Sequence, residues 1–343
     1  MHCEFFKAQE LTPAIHCEIE AFLDRQDNSH PFQFPNLMAG GSGHERDNSY
    51  CAMVREQGQI RWFAYCGVNF PGGKWLRPIR SLMVNRGPVC DDPDLALYGL
   101  RQLLDKSRQQ GFAYVTIAPD WVEHPEWSVG STLSRDGWQS LPDRRSTLRL
   151  HLGLENDELL RSFRKDTKFN IRRSERQGIA IRSAQSDADV EEFQRVYFDM
   201  ASKKNFSAED PSHLSHLLRW IVSHKDRGAL LLASKDATPL GGVLVIKAAK
   251  RSWGVFSATV KDTGLNAGHV LQWSAIRWGK EQGCLDYDLG GYREGVHTGP
   301  PSFKRGFSEN VVHFSPAYKY PLNRGLCSVL DLVTKARSRW RTP

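Results

Sequence analysis

The sequence contains no C-x-x-C pair. Its cysteines, Cys3, Cys17, Cys51, Cys66, Cys90, Cys284 and Cys327, are scattered and odd in number. That argues against a disulfide framework or a cysteine-built metal cage, and for a reducing compartment. No apolar run reaches the ~18 residues that a membrane-spanning helix needs. The opening MHCEFFKAQE has no basic stretch followed by an apolar core, so it does not read as a secretory signal. A cytoplasmic protein without stable membrane insertion is the expectation. The glycine run Gly40-Gly41-Ser42-Gly43 lacks the Lys-Ser/Thr of a phosphate-binding loop, which leaves it a surface loop. His213 and His216 have no Glu between them and no third ligand nearby, so they read as surface residues and no metal site is expected.

At 343 residues, 40% hydrophobic and 10% aromatic, the chain can build two ordinary cores. Its net charge is +7 and its pI about 9.0, a balance that suits an anionic ligand such as RNA or a phosphate. The stretch around which the rest is organised runs from Cys284 to Phe307. Leu285, Tyr287 and Leu289 alternate with Asp286 and Asp288, a strand with one apolar face and one carrying two carboxylates. Gly290-Gly291 is expected to break that strand. A loop with Gly295, Gly299, Pro300 and Pro301 follows and ends in Phe303-Lys304-Arg305-Gly306-Phe307, two cations between two aromatic anchors. Acids at a strand end, a glycine break and an anchored Lys/Arg pair form a candidate site.

The first half, 1–150, predicts a strand and helix over 3–25, with Ile15, Ile19, Phe22 and Leu23 on one helix face. Strands follow near 50–57, 60–68 and 77–84. A helix from Asp92-Pro93 carries a leucine stripe, and strands follow over Phe112–Ala118 and 145–151. The second half, 151–319, opens with one helix over about 155–177. Its later part holds Arg161, Arg164, Lys165, Lys168, Arg172, Arg173 and Arg176, with Phe163, Phe169 and Ile171 supplying apolar contacts. That density of cations makes a plausible phosphate-binding surface. A strand at 179–183, helices at 187–203 and 210–224, strands at 229–234, 241–248 and 252–258, and a helix from Ala267 to Gln282 lead into the organising stretch. A strand over 311–318 and a basic C-terminal helix, 320–343, with Lys335, Arg337, Arg339 and Arg341, complete the chain.

The two halves share a pattern. A helix, Gln110-Gly111 and a strand in the first answer to a helix, Gln282-Gly283 and a strand in the second, the two glycines 172 residues apart. This predicts a duplicated α/β (α+β) domain, each copy a mostly antiparallel sheet flanked by helices. Tyr114 and Thr116 stand where the second copy has Asp286 and Asp288, so the chemistry is expected in the second copy or the cleft beside it.

Two segments carry a family resemblance. Phe163–Gly178, with Lys168-Phe169-Asn170-Ile171-Arg172-Arg173-Ser174, resembles the basic helix of the FemABX aminoacyltransferases. Asp286-Tyr287-Asp288-Leu289-Gly290-Gly291 followed by Phe303-Lys304-Arg305-Gly306-Phe307 is similar to that family's strand and its FK-containing loop. The resemblance covers about 160–320, and the long coiled-coil insertion of some members is absent. It implies tandem GNAT-like domains with the C-terminal helix packing back on the first. It also implies transfer of an amino acid from aminoacyl-tRNA to an amine of a peptide or peptidoglycan-precursor acceptor, with the charged tRNA as donor substrate and no other cofactor.

An ester attacked by an amine passes through a tetrahedral oxyanion, which needs a fixed positive group. Lys304 is the candidate for that role or for steadying an acceptor phosphate. Asp288 or Asp286 is the candidate proton acceptor, set against a plain strand-end hydrogen bond. Tyr292, Arg305, Phe303 and Phe307 are candidates for acceptor binding. Arg172, Arg173, Lys168 and Lys165 are candidates for RNA or precursor phosphates. A CoA-dependent N-acyltransferase is the alternative enzyme, but no Q/R-x-x-G-x-G/A loop is present: Asp262-Thr263-Gly264-Leu265-Asn266-Ala267-Gly268 occupies the place with different glycine spacing. A non-catalytic RNA-binding protein is the alternative from another class, although the interleaved strand aromatics of a single-strand platform are lacking.

Overall fold

The computed structural model describes residues 1–38, 49–71, 79–122, 129–142, 145–260, 264–330 and 332. The Gly40–Gly43 run, Asp262-Thr263 and the tail cations Lys335, Arg337, Arg339 and Arg341 lie outside the described residues. The chain divides into two units. One holds Met1–Asn36, Gly43–Arg145 and Phe314–Pro343; the other holds Leu37–Ser42 and Ser146–His313.

The first unit is built on β1 (His2–Lys7), β2 (Tyr50–Glu56), β3 (Gln59–Asn69), β4 (Ser81–Asn85), β5 (Tyr114–Ala118), β6 (Gln139–Ser140) and, from the far end of the chain, β14 (Tyr318–Pro321). Their order is β1-β2-β3-β4-β5-β14-β6. Helices α1 (Pro13–Leu23), α2 (Pro93–Gln109) and α3 (Gly130–Arg135) accompany them. Asp92 caps α2 through its carboxylate, 2.8 Å from the Leu95 amide, and Pro93 fills the first helical position. Leu95, Leu100, Leu103 and Leu104 of the predicted stripe are buried against Trp62 and Val115.

The second unit is built on β7 (Ser146–His151), β8 (Ala180–Ser183), β9 (Gly228–Lys235), β10 (Thr238–Ala248), β11 (Arg251–Thr259), β12 (Asp286–Tyr292) and β13 (Val311–His313). The order is β13-β7-β12-β11-β10-β9-β8. Its helices are α4 (Asn156–Ser162), α5 (Lys165–Arg176), α6 (Asp187–Lys204), α7 (Pro211–Ser223), α8 (Ala267–Glu281) and α9 (Gly299–Arg305). Among the described residues each sheet has one parallel pair, β4 with β5 and β11 with β12, in an otherwise antiparallel ladder.

The duplication is visible in detail. Gly111 after α2 and Gly283 after α8 both adopt φ of +73°, a left-handed turn that favours glycine. The next amide reaches back in the same way: Phe112 to the Ser107 carbonyl at 3.2 Å, Cys284 to that of Gly279 at 3.0 Å. Thr116 pairs with Met83 as Asp288 pairs with Trp253, so the sequence correspondence is also a sheet correspondence.

The division between the units differs from 150 and 319. Strand β7 pairs with β12 and β13 in the second sheet, and β14 pairs with β5 and β6 in the first. Each half is thus completed by a strand that follows the other half in sequence, and ladder hydrogen bonds override chain proximity. The segment read as one strand over 311–318 is accordingly two short strands in different sheets. At the C-terminal end, residues 324–330 are helical, and Leu326 and Leu330 pack on Ile79, Ala113 and Tyr114 of the first unit.

The helix expected over 155–177 is broken at Phe163 and Arg164, both of which have ψ near the extended value. The break turns Phe163 inward, where its ring meets Trp273 at 5.5 Å and Phe307 at 5.2 Å, edge on. Burying a phenylalanine contributes roughly 2–3 kcal/mol. The one or two helix hydrogen bonds forgone cost about 1 kcal/mol each, so burial wins.

Candidate active site

Strands β11 and β12 run parallel only from Arg251/Asp286 to Trp253/Asp288. The partner register on β10 then shifts, Val245 facing Gly254 and Leu244 facing Phe256, so Val255 is an extra residue that bends β11. Beyond that bend no pairing of β11 with β12 is present among the described residues, and the two strands part at their carboxyl ends. An opening at the carboxyl ends of parallel strands is the ordinary ligand position in open α/β sheets.

The end of β11, the start of α8 and α9 meet at this opening. A Cβ placed on Gly268 would lie 3.8 Å from Thr259 and 3.9 Å from Phe303. Rather than ending a loop, Phe303, Lys304 and Arg305 form the last turn of a short helix, Gly299–Arg305, begun by Pro300 and Pro301, with Gly306 as its C-cap and Phe307 just beyond. Phe303 and Phe307 stack edge to face at 5.2 Å and anchor it to Phe163. Between them Lys304 extends to β12, where its Nζ donates to the Gly291 carbonyl at 2.8 Å. Arg305 donates to the Tyr292 hydroxyl at 3.0 Å and lies over that ring. The Lys304 cation is therefore fixed at the parting of the strands, and Arg305 is held by the buried Tyr292.

Gly306 sets how closely α9 approaches α5. Its carbonyl accepts from the Arg164 amide at 3.0 Å, and a Cβ there would lie 2.1 Å from Thr167 Oγ1. We expect Gly306→Ala to cost about 1–3 kcal/mol through overpacking, read as a lower denaturation midpoint with unchanged denaturant sensitivity.

The two aspartates separate. Strand β12 does not end at Gly290-Gly291 but runs to Tyr292 with a register shift against β7 between Asp288 and Gly291. Asp288 holds that irregularity together. Its carboxylate accepts from the Thr147 hydroxyl and, at 2.8 Å, from the Gly290 amide, and faces Arg149 Nε at 3.4 Å. It is 2% exposed, so the supposedly polar face of the strand is buried here. A carboxylate already engaged by three donors is an anchor for the turn, and the strand-end hydrogen bond describes it better than proton acceptance. Asp286 sits at the opposite end of β12, paired with His151 at 3.3 Å, and the structure does not bring it to Lys304. Leu285, assigned to the apolar face, precedes the strand and is exposed.

One residue of the cluster escaped the sequence reading. His269, in the first turn of α8, packs edge on against Phe303 with centroids 5.0 Å apart and rests on Phe307. Its Nε2 is 3.5 Å from the Asn170 side-chain amide, whose oxygen accepts from Asn266 Nδ2 at 3.0 Å. With Nε2 accepting, the imidazole is neutral and protonated on Nδ1. Burial pushes its pKa below the usual histidine value, against a smaller opposing pull from Asp166. As pH falls the unfolded chain takes up this proton first, so stability declines from the ordinary histidine value down to the depressed one and levels off below it. Thermal unfolding against pH should therefore show a shallower acid-side decline in His269→Gln than in wild type. His16 shifts in the same direction but is common to both proteins, so the difference isolates His269.

The basic helix α5 packs its Thr167, Ile171 and Ser174 face inward. Lys165, Arg172 and Arg173 are exposed, whereas Lys168 bends back to the Arg161 carbonyl at 3.0 Å. Phe169, read as an apolar contact, is instead 55% exposed. His213, read as a surface residue, is half-buried and bonded to Glu209 at 3.1 Å. Among the described residues no cluster of His, Cys, Asp and Glu could hold a metal ion, and no helix is long and apolar enough to cross a membrane.

Comparison with known proteins bears on the fold. A family model described as an acetyltransferase (GNAT) domain matches residues 161–305, the span from the basic helix to Arg305. The UDP-N-acetylmuramoylpentapeptide-lysine N(6)-alanyltransferase of Weissella viridescens is 22% identical over 223 residues, 60% of this chain and 65% of the relative. The crystal structure of FemX superposes with a TM-score of 0.79 at 15% identity, over 95% of this chain and 99% of that one. The chain has the tandem GNAT-like fold. The two matched sheets described above are its two copies. L-PGS from Bacillus licheniformis shares that fold with a TM-score of 0.61 at 15% identity, over 94% of this chain and 96% of that one. The chain spans about two thirds, 65%, of the length of the Weissella relative, short of the whole protein.

Proposed function

We propose that this protein transfers an amino acid from aminoacyl-tRNA to a primary amine of a peptide acceptor, a peptidoglycan precursor being the acceptor class. The observation that carries the reading is the Lys304 ammonium, fixed on Gly291 where β11 and β12 part. The reaction forms a C–N bond and breaks the ester C–O bond. The amine proton ends on the ribose hydroxyl that leaves. Charge develops on the carbonyl oxygen as nitrogen attacks, and a cation held in place beforehand stabilises it without reorganising. Asp288 holds the turn that presents Gly291, and the Phe303–Phe307 pair holds the helix that carries the lysine. Lys165, Arg172 and Arg173 on α5 supply a surface for RNA phosphates. The name of the Weissella relative supports a muramoyl-pentapeptide lysine as acceptor.

At the start of α8 the Asn266 side chain is turned to Asn170, and the Asn266 carbonyl accepts from Ser174 on α5 at 3.2 Å. A CoA pyrophosphate would be held by the N–H groups of a glycine loop before this helix, and the spacing of Gly264 and Gly268 differs from that of such a loop. The test is transfer of labelled amino acids from a pooled charged tRNA preparation to a panel of muramoyl pentapeptides and small peptides, with and without RNase. Label in an acceptor, lost on RNase treatment, is the expected result. Label that survives RNase would overturn the donor.

A further inference from the structure

The basic face of α5 has an aromatic centre. At 3.6 residues per turn, Lys165, Arg172, Arg173 and Arg176 all lie within about 60° of Phe169 around the helix axis. All four are exposed, and Phe169 stands among them at 55% exposure. Among the described residues Lys165, Arg172 and Arg173 make no ion pair. Arg176 only reaches back to the Arg172 carbonyl at 3.3 Å. Of the helix's two acids, Asp166 is occupied by Arg164 at 3.2 Å.

A ring of this size left in water in the middle of a cationic face is not needed by the fold. The helix already buries Thr167, Ile171 and Ser174 on its far side. We infer that Phe169 is a stacking platform for an unpaired nucleotide, and that Lys165, Arg172, Arg173 and Arg176 grip the phosphates on either side of it. Resting on the proposed aminoacyl-tRNA donor, the inference names the part of the RNA that α5 holds: its single-stranded 3′ end rather than its duplex. Stacking suits a lone ring ringed by cations, since every base offers a π-face and the backbone carries one charge per nucleotide. An anionic bilayer is the less fitting occupant. Interfacial helices sink a whole apolar face into the headgroup boundary, and the apolar face of α5 is committed to its own domain.

The experiment uses the full chain and fluorescent acceptor-stem hairpins, one with the unpaired 3′ nucleotides and one blunt, together with anionic phosphatidylglycerol vesicles. Wild type should bind the overhanging hairpin more tightly than the blunt one. Phe169→Ala should remove most of that difference, about tenfold for one stacked base, while leaving the salt dependence and the thermal midpoint unchanged. Phe169→Trp should restore it. Arg172→Ala with Arg173→Ala should instead flatten the slope of log affinity against log salt by about 1.4–1.8. Equal binding of the two hairpins by wild type, or an unchanged preference in Phe169→Ala, overturns the platform while leaving the donor reading intact. A variant that loses vesicle binding but keeps RNA binding overturns it in favour of a membrane contact. No RNA binding by wild type removes both the platform and the tRNA donor.

Discussion

Replacing Lys304 by alanine should lower kcat for aminoacyl transfer by about 10²–10³-fold, with little change in the acceptor KM. The magnitude is that of removing one fixed oxyanion partner. Its direction follows from the geometry: Lys304 is anchored by Gly291 and by the ring pair of its own helix, so its position is set before substrate arrives. An interaction made mainly in the transition state is lost from kcat, whereas one that holds an acceptor phosphate is lost from KM. Initial rates against acceptor concentration separate these roles, and Lys304→Arg should recover part of kcat because the charge is retained on a longer, planar head. A rise in KM with kcat preserved would assign Lys304 to phosphate binding.

Asp288→Ala should be the most destabilising substitution at the site, at about 3–5 kcal/mol, the range for removing one partner of a buried charge pair. It removes the carboxylate that faces Arg149 and that accepts from the Thr147 hydroxyl and the Gly290 amide. Asp288→Asn keeps the shape and one acceptor, and should cost less. Chemical denaturation measures both. If Asp288 were the proton acceptor, Asn would instead give a protein of unchanged stability with almost no turnover.

Much of the fold was legible because local signals agreed with long-range pairing. Asp92-Pro93 and the leucine stripe define α2, and the Gln-Gly endings mark equivalent points of the two copies. The organising stretch does place Lys304 against Gly291 of the strand it was read with. What sequence could not give depends on distant partners. Periodicity runs unbroken through 155–177, and only Trp273 and Phe307 explain why the helix breaks to bury Phe163. The alternation at 285–289 predicts an acidic face, but the Thr147 and Arg149 of β7 turn Asp288 into a buried anchor. His269 has no local motif; its environment is made by Asn170, 99 residues earlier on α5, and by Phe303 on α9. The paired prolines at 300 and 301 were a signal available in advance, since proline favours the first turn of a helix.

The most direct test of tRNA-dependent aminoacyl transfer is a one-pot donor competition. The full chain is given a UDP-linked muramoyl pentapeptide containing lysine, charged tRNA and acetyl-CoA together, and the acceptor is read by tandem mass spectrometry. The expected result is a mass gain of one amino-acid residue on the lysine side-chain amine, abolished by RNase and reduced about 10²–10³-fold in Lys304→Ala. A mass gain of one acetyl group, insensitive to RNase, would contradict it.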